Sequence, residues 1–382
     1  MLKTILLLSP VYVTLFWCIV LNTQGDNYSV PKSFLGKFMF FCFIVYFSHF
    51  LYFSNLENAY CCIDPIYQFA SLLVYPLYYI YFRLLTVDSK FSFKKHFVYL
   101  LPSTILFILY SIAVFFTPQE EYKAFLFGEI QHTLNHLSYL EIISFLIRIV
   151  FLIQVILTVI GNFRLIKKYG HKAAQYYSDI EDSSISKVKL LNYTLIITAL
   201  SSFILGMLGR EFFASEITYL AIASVVFSSM LFIIGWLGNK QKSLNPVYET
   251  DNVTETQQKL EELSLNRQNE LINKIDYFFN DRKIYLNSSL TILDVARLTG
   301  TNRTYVSSLI NHHFHQNFSA FVNNYRLKEL EEKILFNPEY SNSVLAETCG
   351  FGSVDSMKRA IAIRHKLTLQ EFKSQVLLKK VV

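Results

Sequence analysis

The sequence predicts an all-α protein: a polytopic seven-helix membrane bundle, then a soluble domain in which two helix-turn-helix units are joined by a long helix. Three observations carry that expectation. The 382 residues are 52% hydrophobic and 16% aromatic with positive mean hydropathy, too apolar for an ordinary soluble protein. The apolar excess lies ahead of residue 240. The last hundred or so residues repeat one pattern fifty positions apart: Ala296 and Gly300 before one polar-faced helix, Ala346 and Gly350 before another. A small residue lets two helices cross closely, and glycine permits the tight turn between them.

Seven apolar stretches, at 4–22, 35–54, 65–85, 97–116, 138–163, 188–208 and 217–237, are each about long enough to cross a ~30 Å hydrocarbon core. Pro10 interrupts the first, and no small-x-small site closes it, so it is expected to stay as a span instead of being cleaved as a signal peptide. Loop charge then orients the bundle. Arg83, Lys90, Lys94 and Lys95 follow the third span, and Arg164, Lys167, Lys168, Lys172, Lys187 and Lys189 follow the fifth. Basic loops stay inside. The loops with Glu57 and Asp64, and with Glu120, Glu121 and Glu129, lack that excess and are expected outside. Seven spans place the amino terminus outside and the carboxyl terminus in the cytoplasm, as expected for a bacterial inner-membrane protein.

Segment 1–238 is thus expected to be the membrane domain, 239–268 a linker and 269–382 the soluble domain. The linker is acidic and polar until apolar spacing resumes at Leu271, Ile272, Ile275 and Phe278. Leu260, Leu263 and Leu271 are too few for a sustained heptad seam, though a homodimer remains a candidate assembly. Cys61 and Cys62 are the only cysteines in an outward loop, and adjacent residues rarely pair. No metal spacing and no cofactor signature occurs. His312, His313 and His315 cluster, but neighbouring helical positions point apart, which suits a helix end near phosphate better than zinc.

In the soluble domain Asn302 stands as an N-cap. Val306, Leu309 and Ile310 form a buried stripe, leaving Arg303, Thr304, Ser307, Ser308, Asn311 and His312 for base edges or phosphates. Phe318, Phe321, Val322, Tyr325, Leu327 and Leu330 mark the long connecting helix. The second unit buries Met357 and Ile361 and exposes Ser353, Asp355, Ser356, Lys358 and Arg359, with Arg364 and Lys366 beyond.

The order Leu-Thr-x-x-x-Val-Ala-x-x-x-Gly, Tyr305-Val306-Ser307, Asn317-Phe318-Ser319, Asn323-x-Tyr325-Arg326-Leu327 and Gly350-Phe351-x-Ser353 resembles the DNA-binding domain of AraC/XylS-family transcription regulators, over about residues 270–377. The whole layout is similar to membrane-bound members of that family in bacteria related to Bacteroides and Flavobacterium. The resemblance implies two units entering successive major grooves of double-stranded DNA, with RNA polymerase as a further partner. The chain departs from the family's Phe-x-x-x-Phe-Lys-Lys and Gly-x-Thr-Pro patterns. It has Met357, Ile361, Ala362 and Ile363, then Lys366, Leu367, Thr368 and Leu369. Losing the basic pair makes the second unit a phosphate clamp, through Lys358, Arg359, Arg364 and Lys366, more than a base reader.

The expected function is therefore a membrane-bound, sequence-specific transcription regulator that responds to an unknown small-molecule or membrane signal. The net charge of +6 permits DNA binding without establishing it. No Walker loop, GxSxG, HExxH or kinase signature is present, so no enzyme is expected. The rival class is a transporter or receptor whose carboxyl-terminal domain binds a protein. His49, Gln68, Glu141, Arg148, Gln154 and Asn192 interrupt the apolar spans and are candidates either for a ligand or signalling site or for interhelical hydrogen bonding. Lys94, Lys95, Lys167 and Lys168 suit the lipid bilayer's anionic headgroups. Signal transfer is expected through the final span and the linker.

Overall fold

A computed structural model describes residues 2–23, 29–88, 90–127, 137–179, 185–215, 217–240 and 265–378. The described residues form fifteen α-helices and one short 3-10 turn. Eight come before the linker: α1 (Leu2–Asn22), α2 (Val30–Phe53), α3 (Glu57–Thr86), α4 (Phe93–Phe116), α5 (Gln119–Phe127), α6 (Leu137–Tyr176), α7 (Ile185–Ser215) and α8 (Ile217–Lys240). The rest are α9 (Leu265–Asn280), the 3-10 turn Ile284–Leu286, α10 (Ile292–Thr299), α11 (Arg303–His312), α12 (Phe318–Phe336), α13 (Asn342–Thr348), α14 (Val354–His365) and α15 (Leu369–Leu378). They group into two compact units: 1–166 with 187–245, and 167–186 with 246–382.

In the first unit, six helices are long and apolar enough to cross a membrane: α1 to α4, α6 and α8. The expected sixth span falls on α7, where Val188–Ser202 is an apolar helical stretch among the described residues. Helix α3 is the hub, packing against α2, α4 and α5. Tyr78, Tyr81 and Phe82 sit in one core with Trp17 of α1, Leu35 and Phe38 of α2, Leu191 of α7 and Ile234 of α8. The outer faces remain apolar: Ile105, Ile108 and Ile112 on α4 and Phe145, Ile149, Ile153 and Leu157 on α6 are exposed. Apolar side chains outside and hydrogen-bonded backbone within are what a bilayer demands of a helical bundle.

The elements correct the expected boundaries in three places. Helix α3 begins at Glu57, so Asp64 lies inside it and is buried, not in an outward loop. Its carboxylate is tolerated because tyrosine hydroxyls surround it. The acidic stretch after α4 contains helix α5, held by Tyr122 and by a Lys123–Glu57 ion pair at 2.5 Å. Helix α6 continues to Tyr176, well past the expected end at 163, and 167–186 belongs with the carboxyl-terminal residues. Glu129, Lys242, Leu260 and Leu263 lie outside the described residues.

The second unit has two cores that share α12. Its first half contributes Phe318, Phe321 and Val322 to a core with Leu271, Ile275 and Phe279 of α9 and with α10 and α11. Its second half contributes Leu327, Leu330 and Ile334 to a core with Leu345, Phe351, Met357, Ile361 and Phe372. One rigid helix thereby carries both.

Candidate nucleic-acid interface

The repeat in the letters is also a repeat in the backbone. Helix α10 opens on a capping box: Thr291 Oγ1 accepts from the Asp294 N–H at 3.4 Å, and Asp294 Oδ2 accepts from the Thr291 N–H at 2.9 Å. It closes at Gly300, whose φ is 69°, and the Thr301 N–H donates to Ala296 O at 2.9 Å. Helix α13 opens on Ser341 and is followed by Gly350 at φ 80°, with the Phe351 N–H donating to Ala346 O at 2.8 Å. Both turns use the left-handed glycine that closes a Schellman-type helix end. The next helices are capped alike. Asn302 Oδ1 accepts from the Tyr305 N–H at 3.0 Å, and Ser353 Oγ from the Ser356 N–H at 3.0 Å.

The caps aim a polar face outward from each second helix. On α11, Val306, Leu309 and Ile310 are buried while Arg303, Thr304, Ser307 and Asn311 are half-buried and His312 is exposed. Ser308 is buried at 5% exposure, which removes it from the expected open face. Two residues from both Val306 and Ile310, it lies off the stripe's side of the helix, so the stripe does not account for its burial. His312 ends α11, His313 caps it and His315 has φ 53°; all three are exposed. On α14, Ser353, Asp355, Lys358, Arg359, Arg364 and Lys366 are exposed, and Lys358 pairs with Asp355 at 3.2 Å. Ser356 is the second correction. It is buried and donates to Asp179 Oδ2 at 2.6 Å, so it faces inward.

Lys366 takes φ 60° at the end of α14, where the resembled family has glycine. The position demands a left-handed backbone whichever residue fills it. Thr368 and Glu371 then form a reciprocal cap: Glu371 Oε2 accepts from the Thr368 N–H at 2.7 Å, and Thr368 Oγ1 from the Glu371 N–H at 3.3 Å. That pair starts α15 without the family's proline.

A polar seam stiffens the join. Glu329 accepts from Lys283 Nζ at 2.7 Å and Tyr285 Oη at 2.9 Å. Burial raises its carboxyl pKa, but the hydrogen bonds and the charge of Lys283 outweigh burial and bring it below the ordinary value. Burial pushes the Cys349 thiol up to about 11, so it is inert.

In the first unit the span residues separate. Gln68 joins a buried group: its Nε2 donates to Asp64 Oδ1 at 3.3 Å, and Asp64 also accepts from Tyr60 at 3.1 Å, Tyr110 at 2.6 Å and Tyr122 at 2.7 Å. Gln154 is buried and donates to Ser103 Oγ at 3.1 Å. Asn192 is buried, and His49 is half-buried between the rings of Tyr46 and Tyr67. Glu141 and Arg148 lie on the exposed side of α6. Asp64 was not among the residues expected to form a centre, although Tyr60, Asp64 and Gln68 stand four apart and hence on one helix face. Nor was Asp88. Burial raises that carboxyl's pKa, yet Arg83 at 2.8 Å, Lys95 at 2.6 Å and His96 at 3.1 Å lower it to about 2. All five cysteines are free thiols.

Comparison with protein-family models, curated proteins and solved structures gives no match.

Proposed function

We propose that the protein is a membrane-bound transcription regulator of the AraC/XylS kind, whose α10–α11 and α13–α14 pairs are helix-turn-helix units. The supporting observation is the duplicated turn: two left-handed glycines fifty residues apart, each closing the same hydrogen bond to an alanine carbonyl and each preceding a capped helix with an outward polar face. Core packing alone requires neither the repetition nor the exposed Lys358, Arg359 and Arg364. Arg303, Thr304, Ser307 and Asn311 read bases in this scheme, and the basic side chains of α14 hold phosphates, since phosphate contacts position a domain and base contacts specify it. The apolar helices of the first unit anchor the chain in the cytoplasmic membrane, with 265–378 on the cytoplasmic side. Genome-wide occupancy of the intact protein, with nuclease footprinting at the enriched sites, tests the reading. Protection of two successive major grooves ~34 Å apart is expected; no enrichment over a strain lacking the protein refutes it.

A further inference from the structure

Between α6 and α7 the chain passes through Tyr176, Tyr177, Ser178 and Asp179, which neither membrane anchoring nor base reading requires. They belong to the carboxyl-terminal unit. Tyr176 packs at the edge of its first core. Tyr177 pairs antiparallel with Thr291, and the Ser178 N–H donates to Leu290 O at 3.1 Å, so the segment lies along the entrance to α10. Ser178 is wholly buried. Its carbonyl accepts from Ser319 Oγ at 3.0 Å, and its hydroxyl oxygen accepts from Arg326 at 3.0 Å. Arg326, a residue of the family-like motif with no part in reading DNA, is also wholly buried and donates to Tyr285 O and Asn287 O, each at 2.8 Å.

The next residue serves the other core. Asp179 Oδ2 accepts from the Gly352 N–H at 2.9 Å and from Ser356 Oγ at 2.6 Å, at the amino end of α14, where backbone donors and the helix dipole favour a carboxylate. Consecutive Cα atoms are ~3.8 Å apart, so a single peptide link ties the first helix pair to the second.

We propose that Ser178 and Asp179 form a clasp that fixes the spacing of the two helix pairs. Segment 176–179, where α6 ends, is then a route by which a change in α6 reaches the DNA-binding unit. This route rests on the regulator reading above; the clasp itself does not. Helix α6 runs unbroken from Leu137 to Tyr176, two residues ahead of Ser178.

The test uses the full chain in phosphatidylethanolamine–phosphatidylglycerol vesicles. Hydrogen exchange is read at residues 352–357 in wild type, Asp179→Ala, Asp179→Asn and a variant with ten Gly/Ser residues inserted after residue 250. Losing a charge-assisted acceptor is expected to speed exchange there by about tenfold in Asp179→Ala, less in Asp179→Asn, and not at all on lengthening the connector. On a randomised DNA library, Asp179→Ala is expected to keep the base preference of the first element while relaxing the spacing between elements. Unchanged exchange in both Asp179 variants, or an equal rise on lengthening the connector, overturns the clasp. If Asp179→Ala does not fold, Asp179→Asn decides by the same criterion. If wild type selects no DNA, the regulator reading and the route fall, while the exchange comparison still decides the clasp.

Discussion

Replacing each turn glycine by alanine separates two costs that the structure places at different positions. Gly300 and Gly350 have nearly the same backbone, with φ 69° and 80°. A Cβ on Gly300 meets nothing within 4 Å, whereas on Gly350 it would stand 2.5 Å from Leu286 Cα, 2.6 Å from Tyr285 O and 2.7 Å from Leu286 C. Those are backbone atoms of the 3-10 turn and cannot rotate aside. A left-handed conformation costs a non-glycine residue ~1–2 kcal/mol, partly offset by the ~0.4–1 kcal/mol that alanine contributes by restricting the unfolded chain. Gly300→Ala should therefore lose about 1 kcal/mol. Gly350→Ala carries the same conformational cost plus overpacking, typically ~1–3 kcal/mol, for a total of about 2–4 kcal/mol. Pulse proteolysis of the full chain in detergent micelles across a urea series, followed at the carboxyl-terminal unit, measures both. Equal losses, or a larger loss at Gly300, would show that the second turn does not press on residues 285–286 and would refute the close packing of Gly350 against the 3-10 turn.

Three further outcomes follow from other parts of the molecule. Arg303→Ala or Asn311→Ala should change the bases selected from a randomised library, a good contact being worth ~1–3 kcal/mol, while Lys358→Ala should weaken all sequences and flatten the salt dependence; an unchanged preference in both first-unit variants removes α11 from the base-reading role. A membrane-impermeant maleimide applied to intact cells should label exposed Cys62 and leave buried Cys349 untouched, and an exported-only reporter should be active after Glu121 and silent after Lys95; the reverse pattern would put the candidate DNA-binding unit outside the cell. Lys366→Gly should raise the urea midpoint, worth about 1 kcal/mol for relieving its left-handed backbone, while weakening non-specific DNA binding; a lower midpoint contradicts the assigned φ.

What the sequence alone determined is what depends on local pattern. Apolar runs of about twenty residues announced the long helices, and the stripe of Val306, Leu309 and Ile310 announced the buried side of α11, because burial of a helix face leaves a period near 3.6 in the letters. Asn302 as a cap and Gly300 and Gly350 as turns were legible for the same reason: each residue type answers a demand of its own backbone. Ser308 misled because it lies off the buried stripe, and nothing in the local sequence marks a hydroxyl that is buried there. Tertiary structure alone decided where charge is buried and what holds the two helix pairs. Asp64 read as a loop acid until three tyrosines, two of them 46 and 58 residues away, enclosed it. Asp88 gained its meaning from Arg83, Lys95 and His96, and Asp179 from Gly352 and Ser356, 173 and 177 residues further on. A buried carboxylate is stable only with its donors in place. Tyr110 and Tyr122 reach Asp64, and Gly352 and Ser356 reach Asp179, from distant parts of the chain, so no single window of sequence contains all the donors that place them.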